Sequence, residues 1–460
     1  MSLPRNGSSF SAYGWTVCAW SLIVAFQYGY HISVLNQIQA VLTCKASQPT
    51  LLPSTSYLLP CISMSDFTFS LVTSVFTIGG LLGSLCANVV MDKAGRRGTQ
   101  RVCAAFIGVG AALMGVSNSL IWLLFGRFLI GVGSGLGLCV GPIFLAEIAP
   151  SKISGGVGVL TQLSIVFGIM FTQIAGINLA APSSWRYVFF LSFCLSALQL
   201  LSASFVVESP AFLFHKGHVD QYKNAARRLW GNTTPTLADS ETPLLDEPVP
   251  QTPAVREQNL TIAKVFTVKE LRTPLMVVSS AMLAQQFSGI NAVLYYSNDI
   301  LSNSLPEFGA YISLGITMIN VIMTFPPIWL IESLGRRKLL SISIAGQVLS
   351  LAILGYSLDS SAATLASVSI ITFVMSFAIG LGPVPFVMIP EVSPPYAVSA
   401  LSSIALSINW ISNFIVGLIF LPVRNLISGG NRNKEGQVFY VFVTLLVVFS
   451  WWLSKVYRPT

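Results

Sequence analysis

The chain has 460 residues, of which 53% are hydrophobic and only 9% charged, with a mean hydropathy of +0.72 and a formal net charge of +8. A soluble domain carries roughly 25% charged residues, so this composition excludes one and points to a polytopic membrane protein. The positive balance sits in loops between apolar runs, which makes it a topological signal and no mark of nucleic-acid binding.

Apolar runs of about 20 residues, enough to cross a bilayer as a helix, recur along the chain. Spans are expected near 15–38, 68–90, 101–119, 120–145, 155–178, 187–207, 275–299, 308–331, 339–358, 364–390, 398–422 and 437–458. The third and fourth are divided only by a short polar turn near Asn118. The fold class is therefore an all-α polytopic membrane protein of twelve helices in two six-helix halves, 15–207 and 275–460. A tail, 1–14, precedes the first half, and a linker, 208–274, joins the two.

Cytoplasmic loops hold lysine and arginine in excess. Lys93, Arg96, Arg97 and Arg101 follow the second span, and Arg336, Arg337 and Lys338 follow the eighth. Those loops, the linker and both termini are expected in the cytosol, although 423–436 breaks the pattern with Arg424, Arg432 and Lys434. No cleavable signal is visible ahead of the first span.

Five of the seven cysteines lie within expected spans and read as packing residues. Cys44 and Cys61 share the one sizeable non-cytosolic loop, a compartment where disulfides persist. A disulfide is expected there, while spacing alone leaves two free thiols open. The glycines of "GVGSGLGLCVG" do not fit a nucleotide-binding pattern. Gly133, Gly137 and Gly141 recur every four residues and read as a face for close helix packing. No spacing of His, Cys and acidic residues suggests a metal site, and no cofactor is expected.

The two halves echo each other. "DKAGRR" at Asp92–Arg97 and "ESLGRR" at Glu332–Arg337 share one pattern, as do "EIAP" at Glu147–Pro150 and "EVSP" at Glu391–Pro394. These echoes read as two parallel six-span repeats. In the linker, "HVDQYKNAARRLW" places Val219, Tyr222, Ala226 and Leu229 on one face of an amphipathic helix. The proline- and acid-rich stretch after it reads as a flexible connector, and "TIAKVFTVKELR" as a returning short helix.

Together with the paired Gly-Arg-Arg loops, "GRFLIGV" at 126–132, "ESPAFL" at 208–213, "QQFSGINAVLYYS" at 285–297, "GPVPF" at 382–386 and "NWISNFIVG" at 409–417 resemble the sugar porter family of the major facilitator superfamily. The likeness covers nearly the whole chain. "QYGYHI" at 27–32 and "FAIGLGPVPF" at 377–386 look more like a fungal branch with vacuolar-membrane members than like the animal glucose facilitators. The resemblance implies a monomeric carrier in the plasma membrane or a vacuolar, lysosome-like membrane. Its cargo would be a hexose-like sugar, moved by alternating access without enzymatic chemistry.

A sugar offers many hydroxyls and no charge, so its site needs side chains that both donate and accept without burying charge. Amides do this. By resemblance, Gln162, Gln285, Gln286, Asn291, Asn320 and Asn409 match hexose-binding positions, with Trp410 as an apolar wall. The competing reading for any one amide is a hydrogen bond to a neighbouring helix. Pro383, Pro385 and Pro390 break one span and suggest a bending gate, and Tyr295 and Tyr296 match gating aromatics. Phe386 stands where glucose facilitators often carry tryptophan, and Ala378 where some carry glutamate.

Asp92, Arg96, Arg97 and Glu147, with Glu332, Arg336, Arg337 and Glu391, resemble a cytosolic salt-bridge latch that holds the outward-facing state. Ser154 and Val398 occupy positions where the family motif has a basic residue, so the latch is expected to be weaker here. His31 matches the coupling position, which is aspartate in proton-coupled porters, close to Arg127. Burial and a neighbouring guanidinium both disfavour a charged imidazole, which favours a neutral hydrogen-bonding role and facilitated diffusion. A proton-coupled sugar transporter, a non-transporting sugar receptor and a carrier of another solute are the alternatives.

Overall fold

The computed structural model describes residues 9–45, 58–231, 260–293, 309–429 and 434–457. Among these, every regular element is a helix. Helix α1 (Ala12–Leu42) opens at Ser11, whose hydroxyl accepts the Gly14 amide at 3.0 Å. Helix α2 (Asp66–Val116) opens at Ser65, which accepts from Thr68 at 3.2 Å. Serine at these positions satisfies amides that have no partner inside the helix.

At 51 residues α2 is too long for one crossing. The second and third expected spans run on as one element that bends at Gly95, in the basic loop. Gly95 has φ +76°, and a Cβ there would lie 2.5 Å from the Glu208 carboxylate, so only glycine fits. The expected break near Asn118 falls between α2 and α3 (Leu120–Ile148). Arg186 closes it by donating to carbonyls at the end of α2, Gly115 at 2.9 Å and the capping Ser117 at 2.7 Å.

The N-terminal half continues with α4 (Ser154–Leu179) and α5 (Arg186–Ser202). The linker supplies α6 (Pro210–His215), α7 (Val219–Trp230) and α8 (Ile262–Val265). The C-terminal half follows as α9 (Arg272–Phe287), α10 (Gly309–Thr324), α11 (Pro327–Ser333), α12 (Arg336–Asp359), α13 (Ala363–Ile379), α14 (Val384–Val392), α15 (Val398–Ser428) and α16 (Gln437–Val456). Ten segments among the described residues are long and apolar enough to cross a membrane, one of them the doubled Thr68–Val116. The seventh expected span begins as α9, and its far end lies outside the described residues.

Two details differ from the sequence reading. Helix α7 docks through Ala225, Ala226, Leu229 and Trp230, while Val219 is exposed, because the helix rests on the bundle only by its last two turns. Trp230 fixes this end by donating to the Ile148 carbonyl at 2.8 Å. Of the glycine stripe, Gly133 packs on Cys103 and Ile107 and Gly137 on Val24, whereas a Cβ placed at Gly141 would meet no other element within 4 Å.

The halves meet along α2 against α15 and along α4 against α10. Ser84 and Ser407 hydroxyls lie 3.0 Å apart on the first seam, and beside it the Ser402 hydroxyl of α15 donates to the Cys139 carbonyl of α3 at 3.1 Å. Gln173 donates to Thr317 at 3.2 Å on the second. Cys44 and Cys61 form a disulfide that ties the end of α1 to the segment before α2.

Candidate functional site

The amides fall into two bonded pairs and two single residues. Gln285 accepts from Asn409 Nδ2 at 2.9 Å, joining α9 to α15. Gln286 accepts from Asn291 Nδ2 at 3.0 Å across the turn that follows α9. Gln162 on α4 and Asn320 on α10 are buried on helices that pack together, and their side chains bond to none of these four. Asn320 Oδ1 and Trp410 Nε1 are buried without a hydrogen-bond partner. Adjacent residues on a helix point about 100° apart, so Gln285 and Gln286 serve different neighbours.

The prolines of the broken span explain what Gln285 holds. Helix α13 ends at Ile379 and α14 starts at Val384, with Pro383 and Pro385 buried at the restart. Proline donates no amide, so this span leaves carbonyls unpaired at its break. Gln285 Nε2 donates to two of them, Leu381 at 3.1 Å and Gly382 at 2.9 Å. The Leu381 amide in turn donates to the Ser343 hydroxyl at 2.9 Å. In this structure Gln285 has its amide fully engaged as a tie between helices, whereas Gln286 and Asn291 engage only each other among the matched residues. Tyr295 and Tyr296 lie outside the described residues.

Trp410 is almost wholly buried at the seam between the halves. Its indole lies flat against Gly80, where a Cβ would sit 2.5 Å from two ring carbons. Tyr28 and Phe76 meet it edge to face, with centroids at 5.7 and 5.5 Å.

His31 and Arg127 are neighbours, though not side chain to side chain. Arg127 NH1 donates to the backbone carbonyl of His31 at 2.7 Å. The imidazole turns to α5 instead, with Nε2 2.7 Å from the Ser192 hydroxyl. Ser192 also donates to Gln27 Oε1 at 2.8 Å, and Gln27 Nε2 donates to Ser196 at 2.9 Å. Gln27 and Gln173 are further buried amides inside spans, and neither is among the positions that match hexose binding.

The charged loops form one cluster in each half. Arg96 makes a bidentate pair with Glu147, with contacts of 2.8 and 3.0 Å. The backbone amides of Arg96 and Arg97 donate to Glu208 at 2.9 and 3.0 Å, and Arg97 NH1 donates to the Val206 carbonyl at 2.8 Å. Burial pushes the Glu208 carboxyl above the usual carboxylate range, against the pull of these amides and of Arg96. Glu147 also accepts from Ser209. In the other half Arg336 pairs with Glu391 at 2.6 Å and with Glu332 at 3.3 Å. Asp92 is half-buried beside the first cluster, and Arg337 projects into solvent.

These ion pairs stay within their own halves. Across the halves, Glu332 Oε1 accepts the Gly155 amide at 2.7 Å, directly after Ser154. On the opposite flank, Asn88 Nδ2 donates to the Leu260 carbonyl at 3.0 Å, and the Leu260 amide donates to the Tyr396 carbonyl at 3.3 Å. Leu260, Ile262, Val265 and Val398 belong to one apolar cluster there. Asn88 carried no sequence signal beyond its being a polar residue near the end of a span.

One cavity of about 520 Å³ opens between α1, α4 and α5, lined by apolar side chains such as Leu22, Phe26, Phe171 and Leu195. It contains none of the amides, so it is not where a sugar's hydroxyls would be met.

Comparison with known proteins agrees with this architecture. Residues 17–457 match the family model described as "Sugar (and other) transporter". A probable metabolite transport protein of Saccharomyces cerevisiae is 30% identical over 443 residues, covering 94% of this chain and 89% of its own length. The facilitated glucose transporter member 1 of Gallus gallus is 30% identical over 456 residues, covering 97% and 90%. The solved structure of the proton:xylose symporter XylE bound to 6-bromo-6-deoxy-D-glucose superposes with a TM-score of 0.76 at 21% identity, covering 96% of each chain. The chain belongs to the sugar transporter family, built on the fold of the major facilitator superfamily.

Proposed function

We propose that this protein carries a hexose-like sugar across its membrane by alternating access, as facilitated diffusion. The support is the chemistry of the seam between the halves: two bonded amide pairs, the single amides Gln162 and Asn320, and the unpartnered buried atoms Asn320 Oδ1 and Trp410 Nε1. A buried polar atom without a partner is costly, and a polyhydroxylated, uncharged cargo supplies donors and acceptors to such atoms. Gln286, Asn291, Asn320 and Gln162 contact the hydroxyls, and Trp410 packs on the sugar's apolar face. Gln285 and Asn409 hold the broken span in register beside it.

Facilitated diffusion is favoured over proton coupling by where the acids lie. Among the described residues, every Asp and Glu sits in a loop, in the linker or near a helix end or bend. Arg127 faces a backbone carbonyl and an aromatic ring where a coupled carrier would place a carboxylate. His31 is the one imidazole inside a span, and its Nε2 is engaged with Ser192. The membrane is the plasma membrane or a vacuolar, lysosome-like one, with both termini on the cytosolic side.

The test is uptake of a panel of labelled sugars into proteoliposomes holding the purified protein, with and without a pH gradient. Saturable entry of a hexose that stops at equal concentrations supports the reading. Sugar binding with no flux would instead identify a receptor.

A further inference from the structure

Arg127 is one of the largest fully buried side chains in the molecule. A guanidinium stays charged and brings five donors with it, so its placement inside a membrane protein demands fixed partners. One is the His31 carbonyl. Another is the face of Phe76, whose ring centroid lies 4.4 Å from Arg127 Cζ. A cation over a ring is held by the negative face of its π-system, most strongly where water is excluded.

Phe76 does not stop at Arg127. It meets Trp410 edge to face at 5.5 Å and an interplanar angle of 77°, and stacks with Tyr28 at 6.3 Å and 17°. Tyr28 meets the same indole at 5.7 Å and 81°. Gly80, one turn after Phe76 on α2, forms the floor beneath it. Trp410 belongs to the C-terminal half, whereas Tyr28, Phe76, Gly80 and Arg127 all belong to the N-terminal half. The slot that receives the indole is therefore built by one half for a side chain of the other.

We propose that Arg127 is a positioning residue for the sugar-facing wall: through Phe76 it fixes the slot in which Trp410 sits, and so sets sugar affinity from the opposite half of the protein. This rests on the reading of Trp410 as the apolar wall. It gives the buried guanidinium a role that needs no proton. It also makes the pose of the wall depend on how the halves meet, because the indole leaves its slot when α15 separates from α2.

The test uses purified protein in nanodiscs, with the emission of Trp410 obtained by subtracting the spectrum of each protein's Trp410→Phe counterpart. Arg127→Leu and Phe76→Leu are expected to shift that component to longer wavelength and to weaken sugar binding about tenfold, the scale of one lost aromatic or cation–π contact. Phe76→Tyr, which keeps the ring, is expected to restore both. In a Trp410→Ala background, Phe76→Leu should cost no further affinity. A Trp410 component unmoved by both leucine variants overturns the proposal, as does a loss of affinity that persists undiminished in the Trp410→Ala background. Should Arg127→Leu fail to fold, the Phe76 pair decides alone. If Trp410→Ala binds sugar as tightly as the unaltered protein, the wall assignment falls, while the emission shift still decides whether Arg127 holds the indole.

Discussion

The amide of Gly155, in the first turn of α4, donates to the carboxylate of Glu332 at 2.7 Å, joining the N-terminal half to the basic loop of the C-terminal half. Ser154 leaves no arginine at this place, and the carboxylate instead meets a helix N-terminus, where exposed amides and the dipole favour negative charge.

Removing that carboxylate should let the cytosolic side open. Glu332→Ala is expected to raise cytosol-side labelling of an engineered cavity cysteine more than Glu391→Gln does, because Glu391 reaches the seam only through Arg336. A contact of about 0.3–1 kcal/mol at a helix end shifts a two-state equilibrium by about two- to fivefold. Labelling unchanged from the unaltered protein in both variants would show that the charged loops serve topology alone.

The second flank rests on backbone bonds and apolar packing, so it should be insensitive to salt. Asn88→Ala removes the donor to the Leu260 carbonyl, at a cost of about 1 kcal/mol. Increased cytosolic accessibility in this variant is expected to stay constant between low and high ionic strength, whereas the Glu332 effect shrinks as salt rises.

Neighbouring glutamines should separate in their phenotypes. Gln285→Ala leaves the Leu381 and Gly382 carbonyls and the Asn409 amide without their partner, so it is expected to lower the melting temperature as well as sugar affinity. Gln286→Ala and Asn291→Ala should lower affinity by about 1–3 kcal/mol with little change in melting temperature. Paired melting and binding curves check this, and unchanged binding in both of the latter variants would remove them from the site.

Glu208 gives a pH test outside the membrane. Its folded-state pKa is raised by burial, so the folded protein binds that proton more tightly than the unfolded chain. The contribution is therefore present at low pH and lost as pH rises through the window between the ordinary carboxylate value and the raised one. Glu208→Gln keeps an acceptor for the Arg96 and Arg97 amides and is expected to flatten this part of the stability profile. Glu208→Ala leaves those amides unsatisfied, and should destabilise at every pH by about 1–3 kcal/mol for each amide left buried. Melting temperature against pH for the three proteins distinguishes them.

For transport, a pH gradient imposed with equal sugar on both sides should produce no accumulation, in the unaltered protein or in His31→Asn. Accumulation that disappears in His31→Asn would assign proton coupling to the imidazole.

The sequence by itself determined the solvent, the all-helical membrane-spanning class, the repeat of two halves and the family, because apolar length, loop charge and local motifs are properties of contiguous residues. It also pointed to the Cys44–Cys61 disulfide and singled out the amides as a set. It did not separate Gln285 from Gln286, since their partners lie on the broken span and on the following turn, nearly 100 residues away in one case and five in the other. Nor did it show that Arg96 and Arg336 pair inside their own halves, that Leu260 bridges Asn88 and Tyr396, or that Arg127 turns toward Phe76. Each of those depends on which helix faces which at a given depth, and that is set by the packing of the two halves against each other, a long-range result that no single stretch of chain encodes.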